Sequence, residues 1–540
     1  MPEITRPSGL TISLPATYRI GTLRSEPESP PRNAEPRRGG RRAEPRSSKE
    51  RRFEGAEAFP EGTAMLNALK EQDMQVVDSF TLEPLRYRAE AADVREKQNI
   101  RLQQDLQKNE GAVVLIAQKG VYSWVFPKEE TKTLQSDSRQ NVRGQTAARS
   151  ANFHFDVQSL SKAGKKATQR GKTTDFISST IIVMKFVAHL PVDSAIKFLE
   201  RNVEPGLVLI TSQDAGQWLR VEDMRSITLP TDRRAKILLL VHGTFSSTTG
   251  SFGALSYTEP GQKFLTKVLE KYDIVIGFDH RTLSDDPKAN ALDLLKRLQQ
   301  GTWPHPPKVD AIAFSRGGLV LRWLVQRLLP VADWPARIER AVFVACTNGG
   351  TILAEPENWH ALVDLYTNLA VGLSRLLGMI PQAAVPLNIF SGILQGLGAL
   401  VKFIATEAVS GGAVPGLAAM EPDGEFVIQL NSNASAAPKE TQLYAITSQF
   451  EPKLSGETYE PEELAPEFTL RLADRLVDRL MNNAPNDVVV DTASMTTFDP
   501  DTQQLVQDKY EFGVTSKIYH LNYFTRSEVT EILTHWLQLE

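Results

Sequence analysis

Hydrophobic positions divide the 540-residue chain into three stretches. From residue 231 to 540, runs of consecutive apolar residues alternate with amphipathic segments. The runs at 236–241, 273–278, 309–314, 340–346 and 443–447 predict strands buried on both faces, and later strands or strand ends are expected at 488–490 and 517–520. Apolar spacing at 290–298 and 318–329 predicts helices between them. Continuous apolar strands alternating with helices predict an α/β fold, a mostly parallel sheet covered on both faces. In such sheets, functional groups gather in the loops that leave the carboxyl ends of the strands.

Residues 76–230 follow a different pattern. Apolar runs at 113–116 and 121–126 flank Lys119-Gly120, and runs at 207–210 and 218–221 flank Asp214-Ala215-Gly216, two hairpin signals. A strand is expected at 177–187, a short helix at 195–199 and a basic, glycine-containing loop at 161–174. The pattern predicts a small α+β domain without a chemical motif, suited to docking or to capping a neighbour. Residues 1–75 read as a disordered tail, because 30–52 combine Pro, Arg, Glu and Gly with almost nothing apolar to bury. Arg37, Arg38, Arg41, Arg42, Arg46, Arg51 and Arg52 make that tail locally basic, and a solvated tail accounts for them more simply than a nucleic-acid or anionic surface does.

The formal net charge of −4 gives no reason to expect nucleic acid on the folded domains. The single cysteine, Cys346, excludes an intramolecular disulfide and sits in an apolar run, where it reads as a small buried strand residue. That usage fits a reducing compartment, and residues 1–10 lack a basic segment followed by an apolar one, so a cytoplasmic location is expected. No His/Cys/Asp cluster has ligand spacing, so neither a metal nor a cofactor is expected. Nothing in the pattern bears on oligomeric state.

Chemistry concentrates at Ala313-Phe314-Ser315-Arg316-Gly317-Gly318, where the strand at 309–314 meets a helix. A serine on such a turn stands exposed above the sheet, and its neighbours must be small because the turn is crowded. Here the sequence resembles the α/β-hydrolase superfamily, and within it the bacterial lipase and esterase branch. The usual motif is Gly-x-Ser-x-Gly; Ala313 replaces the first glycine. The resemblance extends upstream to His242-Gly243-Thr244-Phe245, after the strand at 236–241. It implies an oxyanion hole made from the N–H of Thr244 or Phe245 together with that of Arg316, with His242, Gly243 and Gly317 shaping the site.

The family's chain order is nucleophile, acid, histidine. Of eight histidines, that order leaves His520 and His535. His535 belongs to a terminal helix that Thr525-Arg526-Ser527-Glu528 would open as a capping box, so His520 is the preferred base. Asn486-Asp487-Val488-Val489-Val490 resembles the Asn-Asp-Gly-x-Val stretch that carries the acid in many lipases, and it follows an amphipathic helix expected at 468–481. Asp487 is preferred as the acid, with Asp491 as its competitor and Asp499 and Asp501 behind. Cys346-Thr347-Asn348-Gly349-Gly350-Thr351 stands where lipases carry a Pro-His-x-Gly-Ser/Thr turn, without the histidine. Phe278-Asp279-His280-Arg281 would line the site or hold a loop by salt bridges.

An apolar insertion spans about 357–425. Leu362, Leu365, Leu369, Leu373 and Leu377 have helical spacing, and 385–408 is apolar nearly all round, broken by Asn388, Gln395 and Lys402. Gly392 and Gly396 permit close helix contact. In the lipase-like branch an insertion here is a lid over the serine, and this is preferred to a membrane span; peripheral membrane contact through it is a further expectation. The resemblance thus implies a serine hydrolase acting on a small-molecule or lipid carboxylic ester through an acyl-enzyme, with Ser315, His520 and Asp487 as triad. Two alternatives stand: a peptidase or thioesterase with the same triad, and a non-catalytic scaffold with a degenerate hydrolase domain.

Overall fold

The computed structural model describes residues 3–15, 18–21, 60–84, 99–107, 109–118, 120–128, 149–156, 179–188, 196–197, 200–334, 336–378, 387–406, 413–432, 440–453, 484–498 and 506–540. Three strands lie where a tail is expected: β1 (Glu3–Thr5), β2 (Leu10–Ser13) and β3 (Tyr18–Ile20). Helix α1 (Pro60–Glu71) follows, then β4 (Gln75–Pro84), β5 (Asn99–Leu106), β6 (Glu110–Gln118), β7 (Val121–Val125), β8 (Arg149–Asp156) and β9 (Ser179–Val187). β2 and β3 escape a local reading because their partners are remote; β2 pairs with β5, Ile12 opposite Leu102, and β3 with β4. The arginines at 37–52, the loop at 161–174 and the helix expected at 468–481 lie outside the described residues.

These strands form two sheets, ordered β1-β2-β5-β8 and β3-β4-β9-β6-β7, antiparallel throughout. Leu10, Ile12, Leu102 and Phe153 from the first meet Leu82, Val114, Ile116 and Ile181 from the second in one core. The expected α+β domain is therefore a β-sandwich. The hairpin at Gly120 forms as expected, with that glycine at φ +73°.

The second unit is an eight-stranded sheet, built from β10 (Gly206–Leu209), β11 (Leu219–Val221), β12 (Lys236–Val241), β13 (Ile274–Asp279), β14 (Lys308–Phe314), β15 (Arg337–Val344), β16 (Gln442–Phe450) and β17 (Val506–Thr515). Its order is β11-β10-β13-β12-β14-β15-β16-β17, parallel from β13 to β17. β10 and β11 form the expected hairpin, but β10 also pairs antiparallel with β13, Leu207 opposite Phe278. The sheet domain thus begins before residue 231, at Gly206, because the hairpin's hydrogen bonds go to this sheet. The segments 488–490 and 517–520 are bends and turns instead of strands. The last strand is β17, whose polar, largely exposed residues at the sheet edge give no buried pattern.

Along β12, Leu238 and Leu240 enter one core while Ile237, Leu239 and Val241 enter another. The first is covered by α2 (Glu259–Lys271), the second by α3 (Pro287–Gln299) and α4 (Gly317–Trp323). α5 (Trp359–Gly378) and α6 (Leu387–Thr406) form the insertion, and α7 (Ser527–Trp536) closes the chain. β12 lies between β13 and β14, so the chain leaves it in opposite directions along the sheet. The crevice at such a reversal lies at the carboxyl ends of the strands.

The insertion is seated between the two units. Val113, Leu115, Met184 and Phe186, on the outer face of the five-stranded sheet, share a core with Leu365, Leu369, Leu397 and Phe403 of α5 and α6. β7 is an edge strand, and α5 seals it with side chains. Asp364 accepts the Trp124 N–H at 2.7 Å, Asn368 accepts the Tyr122 N–H at 2.8 Å and donates to the Tyr122 carbonyl at 2.6 Å, and Trp124 Nε1 donates to Thr367 at 2.8 Å. Edge groups left bare recruit other chains, so this seal meets a real need. Lys402, in the apolar run, is buried and donates to the Gln72 carbonyl at 2.8 Å. Among the described residues no helix is long and apolar enough to cross a membrane.

Candidate active site

β14 delivers Ser315 to the carboxyl edge of the sheet, where the chain turns sharply and enters α4. The turn requires φ +54° at Ser315, a left-handed value that a serine adopts at a cost. Its N–H donates to the Val344 carbonyl at 3.1 Å, and its carbonyl accepts from Gly318 at 3.0 Å. The glycines around it are steric necessities. A Cβ on Gly243 would stand 2.7 Å from Ser315 Cβ, one on Gly317 2.3 Å from the Val241 carbonyl oxygen, and one on Gly318 2.6 Å from Cys346 Sγ. Cys346 is buried against this turn, and burial pushes its thiol pKa up, away from reactivity.

His520 lies between Ser315 and Asp487. Its Nε2 is 2.9 Å from Ser315 Oγ and its Nδ1 is 2.8 Å from Asp487 Oδ2. All three residues are buried, Ser315 at 1% exposure and the others at 0%. Asp487 is fixed by its own loop: Oδ1 accepts the N–H of Val489 at 3.1 Å and of Val490 at 2.9 Å, and its carbonyl accepts the His520 N–H at 3.0 Å. Because Oδ2 is an acceptor, it selects the Nδ1–H tautomer of His520 and leaves Nε2 free to take a proton. Neither Asp491 nor His535 bonds to this pair, and Asp499 and Asp501 lie outside the described residues. Asp491 precedes the short helix Thr492–Met495, and the His535 side chain is 69% exposed beside Glu540. The box expected at Thr525 is absent: α7 is preceded by Arg526 without a side-chain cap, and Thr525 donates instead to the Asn522 carbonyl.

The turn after β12 brings Thr244 and Phe245 beside the serine turn. Phe245 has φ +55°, and its N–H donates to Thr282 Oγ1 at 3.2 Å. Among the described residues, the N–H groups of Thr244 and Arg316 have no acceptor. Of the two expected donors from this turn, Thr244 is thus the one left open. Thr282 is held by Glu200, whose buried carboxylate accepts the N–H groups of Thr282, Leu283 and Ser284 and the Ser284 hydroxyl. Burial pushes Glu200 above the usual carboxylate range. The Arg316 side chain donates to the carbonyls of Asp285 and Gly416; burial pushes its pKa down to about 10, opposed by Glu200, Asp286 and Asp285.

His242 is structural. Its Nδ1 is bonded to the Gly243 carbonyl at 2.9 Å and its Nε2 accepts the His280 N–H at 3.1 Å. The two rings stack at 4.0 Å, and burial lowers both pKa values. The unfolded chain takes up these protons near pH 6.5, whereas the folded chain refuses them until lower pH. Stability present above that pH is therefore lost as pH falls below it, by up to about 1.4 kcal/mol per pH unit for each histidine. Urea unfolding at pH 5 and pH 7 should show the loss, and a His280→Phe variant should show a shallower dependence. An unchanged dependence in the variant would exclude the pair as its source.

The turn after β15 braces the acid loop. Thr351 donates to the Val489 carbonyl at 2.6 Å and Asn348 to the Met495 carbonyl at 2.8 Å. Asp279 accepts the Thr248 N–H at 2.7 Å, and Arg281 donates to the Val203 carbonyl at 3.2 Å, so that cluster holds loops. Two further residues belong to the site without a motif to announce them. Tyr523 donates to Asp487 Oδ2 at 3.2 Å and pairs with Ser448 Oγ at 2.6 Å. Tyr366, from α5, packs its ring edge to face against His520 at 6.1 Å and Phe245 at 4.9 Å. Among the described residues no group of His, Cys, Asp and Glu could hold a metal ion.

Fold and site define an α/β protein with a buried serine–histidine–aspartate cluster at the carboxyl end of its parallel strands. The chain belongs to the family described as Domain of unknown function (DUF7379), whose model matches residues 205–538. A second model, Domain of unknown function (DUF7362), matches residues 32–186. No curated protein matches. Similar solved structures include lipase 1 of Pelosinus fermentans, at 14% identity and TM-score 0.37, covering 56% of this chain and 99% of that one. A structure from work on carboxylesterases of Nitrososphaera gargenis is 12% identical with TM-score 0.29, covering 57% and 92%. A phospholipase of Legionella pneumophila is 15% identical with TM-score 0.28, covering 48% and 46%.

Proposed function

We propose that residues 206–540 form an α/β-hydrolase domain that cleaves a carboxylic ester through an acyl-enzyme on Ser315. The reading rests on one observation: His520 hydrogen-bonds both Ser315 Oγ and Asp487 Oδ2 at a serine turn with positive φ. His520 Nε2 takes the Ser315 proton as Oγ attacks the ester carbonyl carbon. The carbonyl electron pair moves to oxygen, where the N–H groups of Thr244 and Arg316 receive it. As the intermediate collapses, His520 returns the proton to the departing alkoxide. Water, deprotonated by the same histidine, then attacks the acyl-serine and releases the acid.

Asp487 keeps His520 in the required tautomer and stabilises its protonated form. Tyr523 is a neutral donor to that carboxylate, its phenol pushed well above its ordinary pKa by burial and by the charge of Asp487. The insertion acts as the cover: α5 sets the Tyr366 ring against His520, and Gly396 of α6 lets that helix approach Phe245, where a Cβ would stand 3.0 Å from the Phe245 Cα. With Ser315 at 1% exposure, a substrate reaches it only when this cover shifts. The apolar lining of α5 and α6 suits an apolar acyl group.

A fluorophosphonate probe tests the reading. Wild-type protein should be labelled covalently, and Ser315→Ala should not. A folded wild-type chain that stays unlabelled, with or without detergent to loosen the cover, would favour a scaffold. Rates on p-nitrophenyl esters, thioesters and peptide anilides then separate esterase from thioesterase and peptidase.

A further inference from the structure

We propose that Glu200 is a positioning residue for the oxyanion hole: it grips the loop after β13 so that the Thr282 hydroxyl holds the Thr244–Phe245 turn in place beside Ser315. The proposal rests on the serine-hydrolase reading above. Glu200 stands between β9 and β10, outside both stretches that the family models match. Its backbone is fixed on both sides. Its N–H donates to the Ile196 carbonyl at 2.9 Å, and its carbonyl accepts the Val203 N–H at 3.0 Å. The next residue, Arg201, pairs with Asp73 at 2.9 Å.

The Glu200 carboxylate, 1% exposed, meets four hydrogens from one loop. Oε1 accepts the N–H of Thr282 at 2.8 Å and of Leu283 at 3.1 Å. Oε2 accepts the N–H and the hydroxyl of Ser284, each at 2.7 Å. Three successive N–H groups converging on one point form a concavity built for an anion. All four groups are donors, so the grip calls for the ionised carboxylate. Neither the charge nor the bundle of N–H groups is stable buried without the other.

The gripped loop reaches the serine's surroundings at three points. Thr282 Oγ1 accepts the Phe245 N–H at 3.2 Å, the Leu283 carbonyl accepts the Gly416 N–H at 2.8 Å, and the Asp285 carbonyl accepts from Arg316 Nη2 at 2.6 Å. Arg316 supplies one open N–H of the hole, and Phe245 follows Thr244, which supplies the other. Phe245 needs the restraint. Its φ of +55° is costly for a bulky side chain, and such a value persists only where the surroundings over-determine it. The Thr282 hydroxyl holds the N–H of that strained residue, and Glu200 holds Thr282. Without the carboxylate the strain can relax by rotation of the Phe245 peptide, which carries Thr244 with it. A misplaced donor harms the transition state more than substrate binding, because full charge reaches the carbonyl oxygen only after attack.

Glu200→Gln keeps the shape of the side chain but turns an amide N–H group on at least one N–H of the loop. On a p-nitrophenyl ester it should lower kcat by about 100-fold, with KM changed less than about threefold. Thr282→Val leaves the grip whole and cuts only its link to Phe245; it should lower kcat in the same way, and Thr282→Ser should restore it. In the double variant Glu200→Gln/Thr282→Val the two losses should not multiply, since both break one path. Inhibition by a trifluoromethyl ketone, which adds to the serine and forms an oxyanion, should weaken in step with kcat. Affinity for the matching methyl ketone, which stays trigonal, should hold. Lower stability with kcat of the folded protein unchanged, or equal weakening of both ketones, would overturn the assignment. Should Glu200→Gln fail to fold, Thr282→Val decides alone. A wild type that neither takes the fluorophosphonate probe nor turns over ester would strike the serine-hydrolase reading and this one with it. A labelled, active wild type with an unaffected Thr282→Val variant strikes the role of Glu200 alone.

Discussion

An Asp487→Asn variant is expected to keep its fold and lose about four orders of magnitude in kcat/KM on a p-nitrophenyl ester. The reason lies in how the loop grips the side chain. Oδ1 is held by the N–H groups of Val489 and Val490, an arrangement that the amide oxygen of asparagine preserves. The amide nitrogen is then directed at His520 Nδ1, where Oδ2 now stands at 2.8 Å. A donor there reverses the tautomer: Nδ1 becomes the acceptor, the hydrogen moves to Nε2, and the serine proton has no base. Circular dichroism should be unchanged. Asp491→Asn, the control, should retain activity within a fewfold, since that carboxyl makes no bond to His520. Comparable losses in both variants would mean that the loop, not the Asp487 carboxylate, is what matters.

Gly317→Ala should destabilise the protein by about 3 kcal/mol or more, the upper range for overpacking. The added methyl would lie 2.3 Å from the Val241 carbonyl oxygen and 2.6 Å from that of His242. Both are backbone atoms at the end of a central strand paired on each side, so neither side can give way cheaply. Relief would have to come from the serine turn itself. Urea unfolding should show the loss, and the fraction that remains folded should react more slowly with a fluorophosphonate. A variant of wild-type stability would show that the turn is far more pliant than its φ values and contacts imply.

The parallel sheet was legible because its strands are buried on both faces and read as unbroken apolar runs, as at 236–241 and 309–314. The serine turn was legible because steric crowding restricts it to small residues at fixed spacing. His520 and Asp487 needed the order borrowed from a resemblance, and geometry brings both to Ser315. What escaped was set by distant partners. β1 to β3 are short, and β2 and β3 find partners far along the chain in β5 and β4, while β17 presents a largely polar edge. β10 and β11 were seen as a hairpin, yet which sheet they join depends on β13. Tyr366, Tyr523, Thr282 and Glu200 carry no signature, because each makes a contact that only the folded chain creates.

The seal between α5 and β7 has a consequence for how the chain can be divided. Separate family models match its two halves, at 32–186 and 205–538, which suggests modules that could be cut apart or exchanged. The contacts argue otherwise. Severed from the sandwich, α5 and α6 would bare the apolar side that now meets Val113, Leu115, Met184 and Phe186, and β7 would bare its peptide groups. The two halves thus share one apolar interface, and the helices packed beside the serine lean on a domain that holds none of the serine–histidine–aspartate residues.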